Sequence, residues 1–184
     1  MRRAVVALVA VLALAGCQGG KGSPDVTNEQ RYVAGDGTSQ LFEPGQRKKS
    51  PTVSGTLLDG AKFTLATGKV TVINFWASWC APCRTEADDL EDVYQASKGK
   101  GVEFLGIDFR DGQDAARSFA DGRMTYPSLF DPAGKVALSF RDVPPNTIPA
   151  TIVLDKQGRV AAVIRKPIER DELQKIVDPI AAEQ

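Results

Sequence analysis

The chain has 184 residues, enough for one ordinary domain with short appendages and too few for two well-buried cores. Its 23 Lys plus Arg balance 23 Asp plus Glu, so no global field recommends nucleic acid as a partner, and 42% hydrophobic with 25% charged residues excludes a multispan membrane protein or a disordered chain. Histidine is absent, which removes His-assisted nucleophiles and nearly all common catalytic zinc sites; no cofactor or metal is expected.

Arg2 and Arg3 precede an apolar run, Ala4 to Ala15, that is too short to cross a bilayer comfortably. This is a signal-peptide pattern, expected over residues 1–16. Its end, Leu14-Ala15-Gly16-Cys17, resembles the lipobox of bacterial lipoproteins, which implies lipidation of Cys17; a secretory signal with a chance cysteine is the alternative. Two acyl chains at roughly 0.8 kcal/mol per methylene anchor a protein without a membrane helix. The expected location is therefore the extracytoplasmic face of a bacterial membrane. Residues 17–50 are rich in Gly, Ser, Asp, Gln and Lys and lack an apolar period, so they read as a flexible linker with a span on the order of 30 Å. Within it Arg47-Lys48-Lys49 reads as a solvated charge run.

The folded domain is expected over residues 51–184. Val53 to Leu58 and Lys62 to Leu65 flank the turn Asp59-Gly60, which predicts an N-terminal β-hairpin. Val70 to Trp76 is apolar throughout apart from Thr71 and Asn74, and predicts a strand buried on both faces. A helix follows from Pro82 to Ser97, ended by Gly99 and Gly101. Val102 to Asp108 predicts a strand, Asp114 to Ala120 a helix, Leu129-Phe130 a short extended piece and Ala133 to Phe140 another helix. Thr151 to Asp155 and Arg159 to Ile164 predict a hairpin, and Arg170 to Ile180 an amphipathic closing helix. This order implies an α/β sandwich in which helices flank a mixed central sheet.

The chemistry centres on Trp79-Cys80-Ala81-Pro82-Cys83. Where a buried strand gives way to a helix, the first cysteine of a Cys-x-x-Cys pair meets free N–H groups and the positive end of the helix dipole, which favour its thiolate. Cys80 is the expected exposed nucleophile and Cys83 the more buried resolving thiol. Pro82 suits the first helical turn, where its missing N–H costs nothing. Trp76 reads as core, whereas Trp79, with Ala81 and Pro82, reads as substrate surface. A zinc half-site lacks the remaining ligands of the usual four, and so short a disulfide ring offers little structural stabilisation.

Val72-Ile73-Asn74-Phe75-Trp76-Ala77-Ser78-Trp79-Cys80-Ala81-Pro82-Cys83-Arg84 resembles the active-site strand and loop of the TlpA and ResA branch of thioredoxin-like proteins. Tyr126 to Asp131 and Ile148 to Asp155 match later segments of that branch, so the resemblance covers about Pro51 to the C-terminus. It implies a thioredoxin-like fold and an anchored or exported thiol-disulfide oxidoreductase, with a reductase of apocytochrome c thiols as one known kind. It carries Pro149 over as a cis-proline facing the Cys-x-x-Cys loop, with Ile148 beside it as a substrate contact. It also matches Glu86 to a glutamate of the reductive branch, placed three residues beyond Cys83 and suited to manage its proton. Asn74 stands where thioredoxin itself has a titratable Asp, and Asp88 where the branch often has Pro. Expected partners are protein thiols and disulfides, a membrane electron carrier for recycling, and the membrane through Cys17; the chain is expected to be monomeric. The competing readings are a disulfide-forming oxidase with the same site, a thiol peroxidase, in which Ser78 mimics one requirement, and a peptide-binding lipoprotein without catalysis.

Overall fold

The computed structural model describes residues 37–140 and 148–183. The expected signal peptide over residues 1–16, Cys17, the linker up to residue 36, and Pro144 and Pro145, which the sequence reads as loop stiffeners, lie outside the described residues.

The apolar run becomes strand β4, Val70–Trp76, buried at every position. A strand with no wet face needs pairing on both edges and cover on both faces. Taking the earlier strands as β1 (Ser39–Leu41), β2 (Ser54–Thr56) and β3 (Lys62–Thr64), the later ones are β5 (Val102–Phe109), β6 (Ser128–Asp131), β7 (Ala150–Leu154) and β8 (Val160–Ile164). The main sheet runs β1-β8-β7-β4-β5-β6, parallel from β4 through β6 and antiparallel on the other side. Period-two alternation sends Val70 and Val72 into one buried cluster and Ile73 and Phe75 into the other. Helix α1 (Ala81–Ser97) and the closing helix α4 (Arg170–Ala182) supply Leu90, Val93, Leu173 and Val177 to the first cluster. The opposite cluster gathers Leu105, Ile107, Ile152 and Phe140. The sheet is mixed and flanked by helices, as the order of elements implied.

The expected N-terminal hairpin forms as β2 and β3, and it lies against the β6 edge through the bridge Leu57–Leu129 and the bond from Leu58 N to Ser128 O, 2.9 Å. Gly106 in β5 leaves room for the β4 and β6 side chains beside it, since a Cβ there would stand 2.1 Å from Ser128 Oγ and 2.7 Å from Trp76 Nε1. Helix α2 covers Gln113–Ala120. Helix α3 is shorter than its sequence pattern, Lys135–Ser139, because Gly134 enters at φ +67° and the Asp131 carboxylate accepts the N–H groups of Lys135, Val136 and Ala137.

The linker expected through residue 50 is corrected over its last part. Residues 37–50 run along β8: β1 pairs with it, Phe42 N donates to Ala161 O, Val160 N to Lys48 O and Ser50 N to Gly158 O. All of this is backbone bonding by residues whose side chains are mostly exposed, Phe42, Arg47 and Ser50 excepted, so no apolar period announced it. Arg47 leaves the expected charge run. Its side chain is 4% exposed and donates to Phe42 O (3.0 Å), Asp155 Oδ2 (3.3 Å) and Glu183 Oε1 (2.7 Å). Arg47→Ala should lower the free energy of urea unfolding by about 3 kcal/mol, the cost of breaking a buried pair, with Arg159 still beside Asp155. A loss below about 0.5 kcal/mol would mean that the segment is only laid on the surface.

Candidate active site

β4 delivers the chain to the site and α1 receives it. Between them Cys80 N donates to Ala77 O at 3.1 Å, closing a tight turn. Cys80 has extended dihedrals, φ −84° and ψ 104°, and caps α1 with sulfur: its Sγ accepts the N–H of Cys83 at 3.3 Å. A sulfur therefore takes the place usually held by a Ser or Asp oxygen at a helix start. Pro82 sits in the first turn. Cys80 and Cys83 form a disulfide, S–S 2.06 Å.

The expected contrast between an exposed Cys80 and a buried Cys83 is absent from this oxidised form, where they are 1% and 2% exposed. Bonding across the first turn draws both sulfurs into the cluster of Phe75, Trp76, Ala77 and Ile148. The accessible surface here comes from Ala81, exposed, and from Trp79 and Pro82, half-buried. Trp76 is core, as its place in the strand implied. Ile148, at 1% exposure, presents no side-chain surface to a substrate in this form. The Ile148–Pro149 bond is cis. Antiparallel pairing of Phe75 with Ala150 brings Pro149 to the end of β4 that leads to Cys80.

Glu86 is carried inward on α1 and is 2% exposed. Asp88, two residues further, stays exposed and does not interrupt the helix. Asn74 Nδ2 donates to Glu86 Oε1 at 2.7 Å and to Thr151 Oγ1 at 3.2 Å, and Ile168 N donates to Glu86 Oε2 at 2.9 Å. Burial pushes the Glu86 carboxyl up to about 8, even though both donors favour its ionised form and pull it down. The strand amide thus holds the acid instead of replacing it. Sequence reasoning marked Asn74 as unable to titrate and Glu86 as a base, but had no signal for the bond between them, since pairing across twelve positions depends on α1 lying over β4.

Sequence reasoning also missed the connection from β5 to α2. Asp111 Oδ2 accepts the N–H of Ser78 at 2.6 Å, two residues before Cys80, and Trp79 Nε1 donates to Arg110 O at 3.2 Å. Arg110 adopts φ +51°, the only non-glycine residue with positive φ among those described. The loop carrying the cysteine pair is therefore gripped from the neighbouring strand end. Among the described residues no group of His, Cys, Asp and Glu is placed to hold a metal ion, and no helix is long and apolar enough to cross a membrane.

The sequence pattern of the AhpC/TSA family matches residues 47–163. The thiol:disulfide interchange protein HelX of Rhodobacter capsulatus is 38% identical over 120 residues, a match that spans 64% of this chain and 64% of that protein, just under two thirds of its length. The thiol-disulfide oxidoreductase ResA of Bacillus thuringiensis is 28% identical over 136 residues, 72% of this chain and 77% of that one. Among solved structures, a secreted thiol-disulfide isomerase from Corynebacterium glutamicum superposes with a TM-score of 0.75 at 34% identity, covering 83% of this chain and 97% of the other. The fold is shared with that solved structure, and the chain belongs to the thioredoxin-like AhpC/TSA family, among relatives named as thiol-disulfide oxidoreductases.

Proposed function

We propose that this chain is an extracytoplasmic thiol-disulfide oxidoreductase that reduces disulfides in protein substrates through Cys80 and Cys83. The observation that carries the reading is the Cys80 sulfur at the N-terminus of α1, accepting the Cys83 amide, where a thiolate is stabilised by helix N–H groups and dipole. In the reduced enzyme the Cys80 thiolate attacks a substrate disulfide, forming a mixed disulfide and releasing one substrate thiolate. Cys83 gives its proton to the ionised form of Glu86 and attacks the Cys80 sulfur; the second substrate thiolate leaves and the enzyme disulfide forms. One substrate disulfide becomes two thiols and the enzyme dithiol becomes the disulfide. A membrane-bound dithiol carrier would reduce the pair for another cycle.

Trp79, Ala81 and Pro82 would meet the substrate chain, with Pro149 bordering the same site. The buried Glu86, three residues beyond Cys83 on α1, supports the reductive direction over the oxidative one, since once ionised it repels a thiolate and so disfavours its accumulation. Tethering through a lipidated Cys17 fits the same role, and disulfide-bonded apocytochrome c, reduced to its thiols, is the substrate class that the family resemblance suggests. The names of the relatives, thiol:disulfide interchange protein and secreted isomerase, support the coarser reading of exchange outside the cytoplasm.

Cys83→Ser should accumulate mixed disulfides with substrate proteins on nonreducing gels, while Cys80→Ser accumulates none. Equal trapping by the two variants would overturn the assignment of attack and resolution.

Glu86→Gln keeps size and hydrogen bonding but cannot titrate. In the wild type the resolution step should quicken as pH rises through about 8, where Glu86 becomes a base; the variant should lose that rise and resolve about a hundredfold more slowly. The same upward shift fixes a stability slope. The folded state keeps the Glu86 proton between its ordinary 4.5 and about 8 while the unfolded chain releases it, so stability falls as pH rises through that window. Glu86→Gln should remove up to about 1.4 kcal/mol per pH unit of that fall. An altered stability slope with an unchanged rate profile would reduce Glu86 to a structural acid.

A further inference from the structure

Asp108 lies in β5 opposite Trp76 of β4 and is 0% exposed. Neither of its carboxyl oxygens receives a donor from any described residue. The Asp108 carboxyl lies beside the Asp111 carboxyl, which adds to burial in raising its pKa, through both charge and hydrogen bonding. Two ionised carboxylates are acceptors alone, so this contact is a bond when one of them carries a proton. Asp111 already accepts two backbone N–H groups, from Ser78 at 2.6 Å and Gly112 at 2.7 Å, and such bonds favour its ionised form. The proton belongs on Asp108, which then donates to Asp111.

We propose that Asp108 and Asp111 form a one-proton carboxyl pair that clamps the Ser78 amide and so positions the segment leading into Cys80. Asp108 is a positioning residue here, acting through Asp111 and Ser78 on a loop also held by the bond from Trp79 to Arg110. The other charged groups facing it give no relief. From β6 the end residue Asp131 adds a second negative neighbour, its own oxygens occupied by the first amides of α3, and β4 contributes Trp76, which is uncharged. Burial, followed by Asp111 and then Asp131, pushes Asp108 up to about 8. When the proton leaves to solvent, two adjacent carboxylates repel, the contact between them is lost and the grip on Ser78 loosens. The active-site loop is then held firmly below that pH and released above it.

The functional consequence rests on the exchange reading of Cys80, whereas the clamp itself can be read without any turnover. The test follows the Ser78 amide resonance of the 15N-labelled full chain between about pH 6 and about pH 9.5. The expected result is a single transition near pH 8 in the wild type and equally in Glu86→Gln. It should vanish in Asp108→Asn, whose side-chain amide can donate to Asp111 without titrating. Asp111→Asn, which replaces the charged partner, should abolish it as well and serves if Asp108→Asn fails to fold. A Ser78 resonance that does not move in the wild type, a transition that survives both Asp variants, or one that disappears in Glu86→Gln would each overturn the pair. Loss of mixed-disulfide trapping with an intact Ser78 transition would instead remove the exchange reading and leave the clamp standing.

Discussion

A helix that starts directly after a fully buried strand has unpaired N–H groups at the one place where little water can satisfy them. In this chain a cysteine sulfur meets that demand. Cys80 Sγ accepts the Cys83 amide, so the group that closes the helix is also the reactive group, and its ionised form is the better cap. The surroundings follow from that arrangement. β4 has to be apolar on both faces to bring the chain this deep, β5 and β7 have to flank it, and α1 has to lie over it so that Cys83 and Glu86 point inward. Each large side chain that fixes this geometry, such as Ile73 or Phe75, contributes about 1.5–3 kcal/mol by burial.

The interior holds two buried acids, Glu86 on α1 and Asp108 on β5, and they are treated differently. Glu86 receives one donor on each oxygen, from Asn74 and Ile168, whereas Asp108 receives none and faces acidic neighbours. Both remain protonated at neutral pH because burial outweighs what little stabilises their charge. Folding therefore takes up protons that the unfolded chain would release, and alkali works against the native state at the place where thiol chemistry needs it. Asp155 is the contrast. Its charge is held by Arg47, Arg159 and two backbone amides, which keep its carboxyl below the usual range despite burial. The one arrangement ties the N-terminal segment to the C-terminal helix, and the other two leave titratable groups in the interior, one on α1 and one on β5.

The features legible in the sequence are those written in short-range pattern. The apolar run of β4, the Asp59-Gly60 hairpin, the cysteine spacing and Pro82 at the helix start each depend on neighbours within a few residues. What escaped depends on side chains far apart in the chain. Arg47 finds Glu183 across 136 positions, Asn74 finds Glu86 through a helix crossing, and the Asp111 grip on Ser78 requires β5 to end beside the loop after β4. Residues 39–50 escaped for another reason: an edge segment bonded through its backbone needs no apolar alternation, so its composition is that of a linker. The exposed Cys80 expected from motif order gave way to a buried one because the disulfide folds both sulfurs under the loop.

With Cys80 and Cys83 only 1% and 2% exposed, the central claim is that the bond is nevertheless open to attack in the folded protein. The direct measurement is the rate at which a small dithiol reduces Cys80–Cys83 under native conditions, compared with the rate of global unfolding under the same conditions. A redox-active pair should be reduced much faster than the protein unfolds and should re-form on reoxidation with the fold intact. Reduction that proceeds no faster than unfolding would make the bond a structural staple and contradict the account.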